Sequence, residues 1–197
     1  MRVTGPFAPL HGILIGALGG ATYWLAVQIW PSSVAVILSM AATALLTADF
    51  SAAAATRIDL LGRVLCLLIK YNALMALSAA KLPFAAPANV PLALIIICGY
   101  GASFAMLVSV LAMRPEKPAQ KIGHGALSLA LLIGFAPATV LGIPGLIGLA
   151  AVIVAGMMLI AFLRYKKIAA TGEVQDIMQL CTEACFYLGA LATWEYV

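Results

Sequence analysis

Apolar blocks, each close to the ~20 residues a helix needs to cross a bilayer, alternate with short polar connections along nearly the whole chain. Seven candidate spans follow: Phe7–Trp30, Ser32–Thr47, Leu60–Ala80, Val90–Met113, Ile122–Val140, Leu146–Leu163 and Asp176–Trp194. The second is short, and only Leu141-Gly142-Ile143-Pro144-Gly145 separates the fifth from the sixth. Pro lacks a backbone donor and Gly tolerates unusual dihedrals, so this stretch suits a tight hairpin turn. Without the turn, six spans remain. The expected fold class is all-α, a polytopic transmembrane helical bundle of seven spans, with residues 1–197 forming a single integral-membrane helical domain.

Composition supports the same reading. Of 197 residues, 64% are hydrophobic and 9% charged, and the mean hydropathy is +1.11. Soluble domains carry about 25% charged residues. The first span follows a single Arg2, is long and lacks a small-residue cleavage pattern, so it reads as retained and not as a signal peptide.

Charge placement tests the span count. With seven spans, the amino terminus and alternate connections hold Arg2, Arg57, Arg114, Lys117, Lys121, Arg164, Lys166 and Lys167, whereas the opposite side holds Lys81. Lys and Arg collect on the cytoplasmic side. The expectation is therefore a multi-pass protein of the cell inner membrane, amino terminus inside and carboxyl terminus outside. The net charge of +4 reflects orientation. Basic residues scattered over three short loops, without interleaved aromatics, give no nucleic-acid surface. They suit anionic membrane lipid or a phosphorylated substrate.

Few residues remain to carry chemistry. Lys70 lies midway along the third span and Glu183 about two turns into the seventh. An intramembrane charge costs several kcal/mol unless paired or hydrated, and so faces the bundle interior. Two readings stand: a Lys70–Glu183 pair that fixes helix packing, or a polar cavity open to the cytoplasm. His11 and His124 are isolated and suit interfacial hydrogen bonding. Cys66, Cys98, Cys181 and Cys185 all fall in apolar spans and read as small hydrophobes. Gly12, Gly16 and Gly20 form a ridge that permits close helix contact within the bundle or between subunits.

Several segments, in order along the chain, resemble the cobalamin synthase family, the adenosylcobinamide-GDP ribazoletransferases. Pro9-Leu10-His11-Gly12-Ile13-Leu14-Ile15-Gly16 with Tyr23-Trp24 is similar to that family's first span. Thr56-Arg57-Ile58-Asp59-Leu60-Leu61-Gly62, before a span holding Lys70, resembles its Ser-Arg-Ile-Gly segment and membrane lysine. Met113-Arg114-Pro115-Glu116 is similar to a loop that carries an arginine. Lys167-Ile168, Thr171-Gly172-Glu173, Gln179 and Glu183 resemble its Lys-Ile-Gly-Gly-x-Thr-Gly-Asp signature and the helix that follows. The family's aspartate-rich loop, Asp-Gly-x-Ala-Asp-x-x-Asp-Gly, is represented here by Asp49 alone, followed by Phe50-Ser51 and a run of alanines.

The resemblance implies transfer of an adenosylcobinamide phosphate from adenosylcobinamide-GDP to α-ribazole or its phosphate, with release of GMP. It implies Arg57, Lys70 and Glu183 as catalytic residues. Arg114, Lys167, Thr171 and Gly172 would bind substrate, and Asp49, Asp59 and Glu173 would hold Mg²⁺. Phosphate transfer needs charge neutralisation and an aligned hydroxyl, and Mg²⁺ takes a few carboxylates with waters and substrate phosphates. Two other functions remain open. One is an inactive descendant serving as a membrane subunit or scaffold, in a homo- or hetero-oligomer. The other is a small carrier built on the Lys70–Glu183 interior, although neither an internal repeat nor paired broken helices are apparent.

Overall fold

The computed structural model describes residues 7–47, 57–79, 90–113, 123–166 and 172–194. The described residues form helices throughout: α1 (Ala8–Ala26), α2 (Ser32–Thr47), α3 (Arg57–Ala79), α4 (Val90–Met113), α5 (His124–Thr139), α6 (Ile143–Lys166) and α7 (Gly172–Trp194). The all-α expectation holds, with one helix for each predicted span. Among the described residues, three helices have segments long and apolar enough to cross a membrane: Leu61–Ala79, Leu92–Met113 and Ile143–Lys166.

Helix boundaries depart from the hydropathy blocks for local reasons. α1 ends at Ala26, and a turn carries the chain through Trp30 to Pro31 before α2 starts. α6 begins at Ile143, ahead of the predicted Leu146, because Pro144 is accommodated in a first helical turn where its missing N–H has no intrahelical partner to lose. The α5–α6 connection closes on Gly142 at φ +66°, a conformation that favours glycine. α3 and α7 start at Arg57 and Gly172, each before its apolar block, so their first turns are polar.

α4 is the central helix. It is almost wholly enclosed and packs against α1, α5, α6, α7 and α3. In its contact with α1, the α1 side is the predicted glycine ridge. A Cβ on Gly12 would lie 2.6 Å from the Phe104 ring and 2.8 Å from the Tyr100 carbonyl oxygen; one on Gly16 would lie 2.8 Å from the Ile97 Cα. A Cβ on Gly20 would fall 2.9 Å from the Ala93 carbonyl oxygen. Contacts descend α4 as they ascend α1, so the two helices are antiparallel. The ridge is consumed inside the chain, which removes it as an argument for contact between subunits. α2 folds back on α1, and Ser39 Oγ donates to the Gly19 carbonyl oxygen at 2.8 Å.

Buried hydroxyls in this interior find partners at short range. Ser103, Ser109 and Thr182 donate to carbonyl oxygens one turn back on their own helices. Such pairing is what an apolar medium demands of a hydroxyl. On the outside the pattern reverses. Leu14, Leu18 and Leu25 of α1 and Val154, Met157, Met158 and Phe162 of α6 are exposed. These faces suit lipid contact.

Candidate functional site

α3 and α7 run parallel, side by side. Arg63 meets Asp176 at 3.8 Å, Cys66 Sγ meets Cys181 Sγ at 3.2 Å, and Lys70 meets Glu183 at 2.7 Å, so position advances together along both helices. Two segments far apart in sequence thus begin at one end of the bundle. The first turn of α3 holds Arg57 and Asp59, and that of α7 holds Gly172 and Glu173.

Between α2, α3, α4 and α7 lies a cavity of about 230 Å³. Arg63, Asp176 and Gln179 stand toward the end where α3 and α7 start, and Lys70, Tyr100 and Glu183 line the deeper part. Met40, Ala44, Leu67 and Leu180 supply apolar wall, with Thr43 and Thr47 contributed by α2.

The inner wall is a closed network. Lys70 Nζ donates to Glu183 Oε1 at 2.7 Å and to Tyr100 Oη at 3.0 Å. Tyr187 Oη donates to the same Glu183 oxygen at 2.7 Å. The ammonium also lies 4.7 Å from the Tyr100 ring centroid and 6.0 Å from that of Tyr187, within cation–π range. Side-chain exposures of 4% for Lys70 and 1% for Glu183 leave no room for solvation by bulk water. The residues pair, as the first reading expected, and they also line a cavity.

At the outer wall Arg63 is half-buried and Asp176 exposed. The Arg63 Nε is buried without a hydrogen-bond partner among the described residues. A guanidinium donor at a cavity wall suits an incoming acceptor such as a phosphate oxygen.

The other expected site residues divide into two sets. Arg57, Asp59, Gly172 and Glu173 are placed by backbone at the starts of α3 and α7. Asp49, Arg114, Lys167 and Thr171 lie outside the described residues. Among the described residues no group of three metal-binding side chains converges. His11 packs edge-on against Phe104, its ring 6.3 Å away, and His124 is exposed at the start of α5. The cysteine reading needs correction. Cys98 is buried as expected, but Cys66, Cys181 and Cys185 are half-buried, and Cys66 and Cys181 touch across the α3–α7 seam.

Sequence reasoning missed Tyr100, Tyr187 and the role of Arg63. Tyr187 was within reach, since it follows Glu183 by one helical turn on the same face. Tyr100 belongs to another helix, and nothing local joins it to Lys70.

Over 50 residues the chain is 48% identical to an adenosylcobinamide-GDP ribazoletransferase of Leptothrix cholodnii. That match covers 25% of this chain and 19% of the relative, so it takes in about a fifth of the relative's length. It supports a distant family relationship and, with the apolar helices, a membrane protein. No protein-family profile matches the chain, and no solved structure matches it.

Proposed function

We propose that the protein is a cobalamin synthase-like membrane transferase, joining adenosylcobinamide phosphate from adenosylcobinamide-GDP to α-ribazole or its phosphate and releasing GMP. One observation carries this reading: the parallel pairing of α3 and α7 brings the Arg57–Asp59 and Gly172–Glu173 turns to the same end of the bundle, next to one cavity. The described residues of two segments that resemble the family's signatures thus begin neighbouring helices, which supports the reading. Two helix amino termini at one end of the bundle favour a diphosphate there.

The cavity limits what enters. Pockets for drug-sized ligands run to about 300–1,000 Å³, and about 230 Å³ is too small for a corrin. The macrocycle therefore stays outside, with the diphosphate at the mouth and the attacking hydroxyl directed inward. Arg57, Arg114 and Lys167 neutralise phosphate charge, aided by Thr171 and the Gly172 backbone. Glu183 is the carboxylate placed to accept the hydroxyl proton, and Lys70 holds it in position. Asp49, Asp59 and Glu173 are carried as the proposed Mg²⁺ ligands. The described side chains do not themselves make a metal site.

The proposed setting is the cell inner membrane, crossed seven times with the α3 and α7 starts facing the cytoplasm. Arg164 and Lys166, in the last turn of α6, support that orientation. A second reading, an inactive descendant acting as a membrane subunit, is favoured by the sparse metal donors.

The test is product formation by the purified protein in liposomes, supplied with adenosylcobinamide-GDP, α-ribazole phosphate and Mg²⁺. GMP and cobalamin phosphate, both lost in Glu173→Ala, are expected. A folded sample that yields neither sinks the transferase and leaves the subunit.

A further inference from the structure

We infer that Cys66 and Cys181 form a reversible, oxidant-driven cross-link between α3 and α7, a thiol switch in the seam between two helices that wall the cavity. Three observations carry it. The two sulfurs stand 3.2 Å apart on neighbouring helices, and both thiols are free and half-buried. Closing that gap to the ~2.05 Å of a disulfide needs an approach of only about 1 Å. The pair also sits between two cross-links of the same seam, Arg63–Asp176 on one side and Lys70–Glu183 on the other, which hold the thiols in register.

The other cysteines make poor competitors. Cys98 is buried in α4. Cys185 lies one helical turn from Cys181, and two cysteines so spaced on one helix do not bridge without unwinding it. A metal is not favoured, since no group of three metal-binding side chains converges among the described residues.

The co-reactant is a hydroperoxide, ROOH, of the kind an oxidised lipid presents to a half-buried thiol. One thiol, as its thiolate, attacks the terminal peroxide oxygen; the O–O bond breaks, ROH leaves and a sulfenic acid forms. The second thiol attacks that sulfur, the S–O bond breaks, and water leaves as the S–S bond closes. Two thiols and ROOH thus give one disulfide, ROH and water. Disulfides are rare in reducing compartments except as transient, redox-sensing bonds, which is the role assigned here. α3 supplies Arg63, Leu67 and Lys70 to the cavity, and α7 supplies Asp176, Gln179, Leu180 and Glu183. A covalent tie along this seam fixes the spacing of those walls. The inference is independent of the transferase reading, because the bond forms or fails to form whatever the substrate.

The experiment takes the full chain in phospholipid vesicles, treats it with tert-butyl hydroperoxide, alkylates the remaining thiols and maps peptides without reductant. A Cys66–Cys181 linked peptide is expected, abolished by dithiothreitol and retained in Cys98→Ser and Cys185→Ser. Amide exchange across α3 is expected to slow several-fold on oxidation. The wild-type map alone is decisive, so the outcome does not depend on Cys66→Ser folding. Alkylated Cys66 and Cys181 after oxidation, a bridge between other cysteines, or a bridge that leaves exchange unchanged would each overturn the switch.

Discussion

The Lys70 ammonium and the Glu183 carboxylate meet at 2.7 Å, about midway along two parallel helices that the chain order places far apart. Tyr100 adds a hydroxyl to the cation and Tyr187 adds one to the anion, so the pair is supported from α4 as well as from within α7. Each charge is thereby compensated with little exposure to solvent, and the same contact forms the inner wall of the cavity.

Removing either partner should be severe. Lys70→Met or Glu183→Leu leaves a buried charge unpaired, a loss of about 3–5 kcal/mol. The double variant Lys70→Met/Glu183→Leu should recover much of that loss, since an apolar pair of similar volume needs no compensation. Thermal unfolding in detergent reads the difference. Equal stability of single and double variants would contradict the pairing.

Tyr187→Phe removes one donor to the Glu183 carboxylate while preserving the ring. A hydrogen bond to a charged group contributes about 1.5–3 kcal/mol, and a loss in that range is expected by the same assay. Stability unchanged from the wild type would mean that Lys70 alone satisfies Glu183.

Gly16→Ala should weaken α1–α4 packing by about 1–3 kcal/mol, because the added methyl meets the Ile97 Cα and backbone cannot yield as a side chain does. Gly62→Ala is the control. Nothing lies within 4 Å of a Cβ there, and alanine in a helix is favoured over glycine by about 0.5–1 kcal/mol. The two substitutions should move the melting temperature in opposite directions.

Arg57→Gln should lower GMP release by roughly 10²-fold, the scale of losing one charge-stabilising donor in a transition state, with folding intact. Activity equal to wild type would remove Arg57 from the chemistry.

A periplasm-active phosphatase fused after Val197 should be active, and the same reporter placed within residues 114–122 should be inactive. The reverse pattern would invert the proposed orientation.

These expectations rest unevenly on sequence and structure. Helix positions were legible because long apolar blocks and their breaks are local signals, and Gly12, Gly16 and Gly20 already marked a contact ridge. Lys70 and Glu183 stood out because a charge within an apolar block needs a partner. The early starts of α3 and α7 were not legible from hydropathy, since polar first turns read as loop. Arg63–Asp176, Cys66–Cys181 and the Tyr100 hydroxyl depend on which helices become neighbours and how each is rotated. No local pattern encodes that.

The parallel pairing also orders events during synthesis. On the proposed seven-span topology, α3 would enter the bilayer carrying Lys70 before Glu183 had been made, an interval on the order of ten seconds at roughly 5–20 residues per second. Parallel neighbours moreover require an even number of chain reversals between them, so a single missed insertion between residues 79 and 172 would deliver α7 upside down. Arg63 and Asp176, each near the start of its helix, would then stand at opposite ends of the pair. On that topology the Arg63–Asp176 contact would depend on the number of crossings that precede α7.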